Sequence, residues 1–155
     1  MFELDSYLKQ RAAMVEDSLT QLLPRDGVFA DAMRYTTLGG GKRLRAVLFL
    51  AAAEYSGLAE LKAVMPAAAA LECVQAYSLI HDDLPCMDDD EMRRGKPTNH
   101  RVFGEAVALL AGDGLLTYAF ELLSKLNLPA ANVLAAISDL AVAIGPAGMV
   151  EGQAL

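Results

Sequence analysis

An alanine-rich run, from Pro66 through Leu79 to a group of acidic residues, limits the possible folds of this chain most strongly. Alanine and leucine are strong helix formers, and proline is tolerated in the first turn of a helix. No alternating β-branched run competes with this pattern anywhere in the sequence. The run therefore predicts one long buried helix that other helices cover.

The rest of the chain also favours helices. Proline and glycine residues separate further predicted helices at residues 2–23, 28–38, 43–55, 104–126 and 129–144. Residues 85–103 lack a period and are predicted to form a loop or a broken helix. With 155 residues, no repeat and no linker, the sequence predicts a single all-α helix bundle over residues 1–155.

Charge, cysteine usage and hydropathy exclude several classes of protein. The net charge of -7 argues against a nucleic-acid surface, which needs a basic stripe. Cys73 and Cys86 form no CxxC pair, so we expect a reducing, cytoplasmic location. The longest uncharged stretches, such as that between Lys125 and Asp139, fall short of the roughly 20 apolar residues that span a bilayer. Stable membrane insertion is not expected, and the all-round apolar stretch 104–126 favours a homodimer.

Negative charge is concentrated in one short segment. Six carboxylates occupy ten positions: Asp82, Asp83, Asp88, Asp89, Asp90 and Glu91. Asp82 and Asp88 are six residues apart, so a regular helix would point them in different directions. Pro85 disfavours helical geometry at Leu84, which predicts that the helix bulges or ends there and lets Asp88 fold back toward Asp82.

Carboxylates held this close must be fully solvated or neutralised by cations. Mg²⁺ suits hard oxygen ligands and is commonly held by one or two carboxylates together with substrate phosphates. Arg93, Arg94 and Lys96 follow at once, and arginine matches phosphate oxygens in bidentate fashion. A solvated acidic loop paired with its own basic residues remains the alternative, whereas the pattern of a calcium-binding EF-hand is absent.

Four segments together resemble one enzyme family. DDLPCMD, followed by RRGKPTNH, closely resembles the first aspartate-rich motif of the trans-polyprenyl (farnesyl/geranylgeranyl) diphosphate synthases. GGGKRLR at 39–45 is similar to that family's basic motif, EAVALLAGDGLL at 105–116 to its following helix, and GMVEGQ at 148–153 to a later segment. The resemblance covers the chain from Met33 onward.

The resemblance implies the N-terminal half of an isoprenoid synthase bundle and a prenyl transfer from an allylic diphosphate to isopentenyl diphosphate. It implies that Asp82 and Asp88 bind Mg²⁺ on the allylic diphosphate and that Asp83 is a supporting carboxylate. The implied allylic substrate is dimethylallyl or geranyl diphosphate. Arg93 would hold the same diphosphate. The implied ligands of isopentenyl diphosphate are Lys42, Arg45, Gln75 and Arg94.

Product length and completeness are further expectations from the resemblance. Tyr77 stands five residues before Asp82, where the family limits product length, so an aromatic residue there implies farnesyl diphosphate, with geranylgeranyl diphosphate as the alternative. The family's second aspartate-rich motif and Lys-Thr segment are absent from these 155 residues, so we expect this fragment alone to be inactive. A piece of a longer enzyme is the preferred interpretation; a non-catalytic binding or regulatory subunit and a non-enzymatic acidic bundle are the others.

Overall fold

The computed structural model describes residues 3–154, most of which lie in helices. The helices are α1 (Leu4–Leu22), α2 (Val28–Thr37), α3 (Leu44–Tyr55), α4 (Met65–Asp82), α5 (Asn99–Phe103), α6 (Glu105–Ser124), α7 (Ala130–Ile144) and α8 (Met149–Ala154). A 3-10 turn, Leu61–Val64, precedes α4. The predicted all-α class is confirmed. Most helix bounds fall within two residues of the prediction, and the predicted start of the first helix at Phe2 lies outside the described residues.

Residues 85–103 contain more regular secondary structure than the predicted loop or broken helix. They contain a two-stranded antiparallel hairpin, β1 (Met92–Arg93) paired with β2 (Lys96–Pro97), which is followed by α5. The two residues between the strands have positive φ angles, 54° at Arg94 and 76° at Gly95. Two consecutive positive φ angles give the turn whose twist matches a hairpin, and glycine adopts such angles without steric cost. We call residues 91–98 the arginine hairpin.

The long alanine-rich helix lies at the centre, as predicted. Helix α4 packs against α1, α2, α3 and, most extensively, α6. The side chains of Ala68, Ala69, Ala70 and Cys73 are fully buried. Because these side chains are small, the neighbouring helices can approach α4 closely and exclude water from the core.

Helix α6 has a buried face and an exposed apolar face. Ala108, Ala111 and Leu115 are fully buried against the core, whereas Leu109 and Leu110 are 46% and 56% exposed. The prediction that this helix is apolar on nearly all sides is therefore confirmed, and its outer face remains uncovered in the single chain.

The expectation about membranes needs a correction. By length and composition alone, three helical stretches could cross a bilayer: Leu61–Asp82, Glu105–Ser124 and Ala130–Ala154. Counting only uncharged stretches missed them, because a spanning helix can contain one or two charged residues. In the most apolar part of each stretch, 67%, 39% and 11% of the residues are buried inside the protein. The absence of stable membrane insertion thus remains a prediction.

Candidate functional site

The acidic segment begins where α4 ends. Asp82 is the last helical residue, and the backbone N–H of Asp88 donates to the carbonyl oxygen of Asp82 at 2.9 Å. The N–H of Met87 donates to Leu84 at 2.8 Å, which closes the turn around Pro85. The chain therefore folds back as predicted, and it brings the backbone of Asp88 beside that of Asp82.

Arg93 lies among three carboxylates. Its Nη2 lies 2.6 Å from Oδ1 of Asp83, 3.6 Å from Oδ2 of Asp82 and 3.5 Å from Oδ2 of Asp90. The hydrogen bond with Asp83 is the largest cause of a raised pKa for Arg93, and burial opposes it. Asp83 is only 2% exposed, so its carboxylate supports the site by fixing Arg93.

The acidic segment suits Mg²⁺ only together with a further ligand. Within residues 3–154, no group of three Asp, Glu, His or Cys side chains is arranged to hold a metal ion. Asp82 and Asp88 supply two hard carboxylates at the end of one helix, and Asp88 is exposed. This donor set fits a Mg²⁺ ion that takes its remaining ligands from water and substrate phosphates.

An apolar cavity of about 430 Å³ adjoins Asp82. Its wall includes Tyr77, His81, Met87 and, from α8, Gln153. The Tyr77 ring is 7% exposed and packs edge-on against His81 with 5.8 Å between ring centroids. Burial raises the pKa of the Tyr77 phenol, so the ring remains neutral at physiological pH. The arrangement offers an apolar chamber directly beside a group of carboxylates.

Gln153 was not among the predicted site residues, although it ends the GMVEGQ segment. Its Nε2 donates to Oδ1 of Asp82 at 2.5 Å, across 71 positions of sequence. This bond attaches α8 to the end of α4 and fixes one oxygen of a predicted metal ligand. No periodicity in the sequence could have revealed the pairing, since it depends on how α7 turns into α8.

A second, basic pocket of about 420 Å³ is lined in part by Arg94 of the arginine hairpin. It collects all four residues predicted to bind isopentenyl diphosphate: Lys42, Arg45, Gln75 and Arg94. In the part of the chain that the structure describes, neither Lys42 nor Arg45 forms an ion pair. Unpaired cations gathered around a concave surface favour an anionic ligand.

Arg43, between the two exposed cations, has a structural role that the sequence did not reveal. It has a left-handed backbone, with φ 51°, and is 5% exposed. Its Nη1 lies 3.2 Å from Oε2 of the buried Glu72, and its Nη2 donates to the carbonyl of Thr37 at 2.7 Å. The predicted helix start at Arg43 is wrong by one residue, because this backbone turn makes α3 begin at Leu44. Arg43 thereby fixes the loop that presents Lys42 and Arg45.

The arginine hairpin contacts both the carboxylates and the loop at the basic pocket. An Arg94 guanidinium nitrogen donates to the carbonyl of Gly40 in the glycine loop. A Cβ at Gly41 would lie 3.0 Å from Nη1 of Arg94, and the φ of 142° at Gly41 also disfavours a side chain. The glycine residues thus allow Arg94 to lie against the backbone at the rim of the basic pocket.

Comparison with known proteins gives a consistent family. A family model described as polyprenyl synthetase matches residues 26–155. The chain is 49% identical to the heterodimeric geranylgeranyl pyrophosphate synthase large subunit 1, chloroplastic, of Arabidopsis thaliana, over 98% of this chain and 42% of that protein. It is 46% identical to the farnesyl diphosphate synthase of Geobacillus stearothermophilus, over 97% of this chain and 52% of that protein. The chain thus spans about half the length of these relatives.

Two solved structures are also similar. An FPP/GFPP synthase from Zymomonas mobilis, in its apo form, superposes with a TM-score of 0.91 at 42% identity, over 97% of this chain and 56% of that one. A geranyltransferase from Legionella pneumophila gives 0.89 at 40% identity, over 97% and 55%. The predicted isoprenoid synthase type of helix bundle is confirmed.

Proposed function

This chain belongs to the polyprenyl synthetase family, and from that premise we propose that it is part of a prenyltransferase that joins isopentenyl diphosphate to an allylic diphosphate. One observation carries the proposal. Arg93 of the arginine hairpin contacts a carboxylate site, Arg94 of the same hairpin lines a basic pocket, and Asp82 of the carboxylate site lines an apolar cavity. Two diphosphate heads and one isoprenoid tail require this combination of surfaces.

Each group has a separate task in the proposed reaction. Asp82 and Asp88 would hold Mg²⁺, which when bound would neutralise charge on the departing diphosphate. Arg93, oriented by Asp83, contributes a fixed positive charge to the same diphosphate, a preorganised interaction of the kind that contributes most to catalysis. Lys42, Arg45, Gln75 and Arg94 would hold isopentenyl diphosphate, while the apolar cavity would exclude water from the reacting carbons.

The product is proposed to be farnesyl diphosphate, with geranylgeranyl diphosphate as the alternative. Similar proteins bear both names, so the proposal rests on Tyr77. Its buried ring forms part of the wall of the apolar cavity, where it would limit the space for a growing chain. Tyr77→Ala should therefore shift the products of the complete protein toward longer chains. Tyr55→Ala, at a residue 95% exposed, is the control and should leave product length unchanged.

The activity is tested with radiolabelled isopentenyl diphosphate, an allylic diphosphate and Mg²⁺, using the complete protein. Asp82→Ala should lower turnover by about a hundredfold or more, because it removes a group that stabilises developing charge. Asp26→Ala, at an exposed carboxylate outside the site, is the control. Near-normal turnover of Asp82→Ala would contradict the assignment.

The two alternatives to an enzyme give different results in a binding experiment. A binding or regulatory subunit would bind inorganic diphosphate in the presence of Mg²⁺ without turnover. A non-enzymatic acidic bundle would bind none, with or without a chelator. The presence of both the carboxylates and the basic pocket favours the enzyme, because a non-catalytic subunit has no need for both.

A homodimer and a cytoplasmic location complete the proposal. The outer face of α6 exposes Leu109 and Leu110, and Phe29 of the neighbouring α2 is 43% exposed. A second copy would cover such a contiguous apolar face. Leu110→Glu should convert the dimer to a monomer in analytical ultracentrifugation, whereas Leu4→Glu, at another exposed leucine, should not.

A further inference from the structure

The arginine hairpin is too small to define its own position. Each strand has two residues, and an isolated two-stranded hairpin is at best marginally stable in water. Arg93 and Arg94 both lie at its tip. The position of the hairpin therefore depends on contacts with the rest of the fold, made at its tip by Arg93 and Arg94 and also at its base.

Asn99, the first residue of α5, provides the most buried of these contacts. It is 2% exposed, and its Nδ2 donates to the carbonyl of Ala32 at 2.8 Å and to Oγ1 of Thr36 at 2.9 Å. Both acceptors belong to α2. The carbonyl of Ala32 can only accept a hydrogen bond, which sets the orientation of the Asn99 amide.

Thr98, which precedes Asn99, links the two ends of the hairpin through hydrogen bonds. Its N–H donates to the carbonyl of Glu91 at 3.0 Å, and its Oγ1 donates to the carbonyl of Asp90 at 2.7 Å, so the two ends of the hairpin are closed at one residue. A second attachment to α2 is more exposed: the Tyr35 hydroxyl donates to the carbonyl of Pro97 at 2.8 Å. The hairpin thus rests on α2 through Asn99 and Tyr35.

The oxygen of the Asn99 amide makes no such contact with the described residues. Its Oδ1 is buried and has no hydrogen-bond donor among residues 3–154. Asn99 lines a small cavity of about 30 Å³ together with Asp83, Arg93 and Arg94. Asn99 therefore bonds to α2 and lines a cavity that both arginine residues also line.

We propose that Asn99 is a positioning residue: through the two hydrogen bonds of its Nδ2 to α2, it holds the arginine hairpin where Arg93 and Arg94 can each face a diphosphate. This inference rests on the proposed prenyl transfer. It adds a residue that contacts neither substrate and acts on both substrate sites at once.

Asn99→Asp is the sharpest test, because it keeps the shape of the side chain and replaces the donor by an acceptor. In the complete protein, we expect amide hydrogen exchange at Thr98 and its hairpin neighbours to become much faster, with the amides of α4 and α6 unaffected. Binding of inorganic diphosphate with Mg²⁺, measured by calorimetry, should weaken about tenfold, because small displacements of positioning groups have large effects. In the assay, KM for both substrates should rise more than kcat falls.

Two further variants keep the test decisive if Asn99→Asp folds poorly. Tyr35→Phe removes only the outer attachment, retains the edge-on contact with Phe103, and should weaken diphosphate binding two- to threefold. Val15→Ala is the control, since it truncates a fully buried side chain in α1, which packs mainly on α3 and α4. It should lower the melting temperature and leave diphosphate affinity unchanged.

The possible failures are distinguishable. If exchange at the hairpin of a folded Asn99→Asp protein matched that of the wild type, or if Asn99→Asp and Tyr35→Phe both bound diphosphate as tightly as the wild type, the positioning role would be wrong while the proposed function would stand. If the wild-type protein did not bind diphosphate at all, the proposed function would fail, and this inference with it.

Discussion

Two nitrogens of Arg93 contact the same oxygen of Asp83, Nε at 2.7 Å and Nη2 at 2.6 Å from Oδ1. The Asp83 side chain is 3% exposed and that of Arg93 is 28% exposed, so the pair crosses from the core to the surface. Removing one member of such a pair leaves a charge without its partner in a poorly solvated place.

Asp83→Asn should lower the free energy of unfolding by about 1–3 kcal/mol, a value below that of a fully buried pair because Arg93 reaches water. Urea unfolding measures this change. Asp90→Asn is the matched control: its carboxylate is 52% exposed and 3.5 Å from the same nitrogen, so it should cost less than about 1 kcal/mol. Equal losses for the two variants would show that burial does not set the strength of these contacts.

Gly112→Ala should destabilise the protein, contrary to the usual effect of this change in a helix. An added Cβ would overlap the imidazole of His81, which otherwise lies with Nε2 3.0 Å from the carbonyl oxygen of Leu109. We expect a loss of about 1–3 kcal/mol in urea unfolding. Gly152→Ala, in α8 with open space around the added carbon, is the control and should gain up to about 1 kcal/mol.

A double variant identifies the cause of the Gly112 effect. In the background of His81→Ala, the added methyl group has room, so Gly112→Ala should cost little or nothing. Additive losses would mean that the Gly112 effect comes from a contact other than the imidazole.

Gln153→Leu should weaken Mg²⁺ binding about tenfold, because hydrogen bonds that orient a metal ligand affect metal affinity to this extent. Calorimetric titration of Mg²⁺ into protein saturated with inorganic diphosphate measures the change. Glu151→Gln, on the same helix but exposed and without a contact to Asp82, is the control. Unchanged affinity in Gln153→Leu would show that α8 does not orient Asp82.

Cys73 should make stability depend on alkaline pH. Burial raises the pKa of its thiol from 9.0 to about 12, with a smaller contribution from Glu72. The folded protein keeps the thiol proton over a pH range in which the unfolded chain loses it. The free energy of unfolding is therefore unaffected by this group below pH 9 and falls as the pH rises from 9 toward 12. The slope for one group is about 1.4 kcal/mol per pH unit.

Urea midpoints between pH 8 and pH 11 test this dependence. Cys73→Ala should show a shallower fall in stability than the wild type, whereas Cys86→Ala, at an exposed thiol, should follow the wild type. Parallel curves for all three proteins would assign the alkaline loss to other groups.

The helices of this chain could be predicted because each depends on local signals. Proline and glycine residues mark their ends, and the alanine-rich run predicts a buried central helix. The return of Asp88 toward Asp82 was also predictable, since Pro85 has a local and directional effect on the backbone.

The contacts that orient the site could not be predicted, because their partners are distant in sequence. Asn99 bonds to Ala32 across 67 positions, and Gln153 reaches Asp82 across 71. In the basic motif, three neighbouring cations look equivalent, and only the buried Glu72 on α4 shows why Arg43 turns inward. Such pairings become visible only when the helices are packed.

The placement of Tyr77 also affects how the protein can be redesigned. The ring belongs to the apolar chamber, whereas Arg93 and Arg94 stand on a hairpin that is attached to α2. In the proposed function, the two arginine residues of the head-group sites therefore stand on a different element from the ring that would limit the tail. A substitution confined to Tyr77 could therefore change the size of the apolar cavity without removing a contact of either arginine residue.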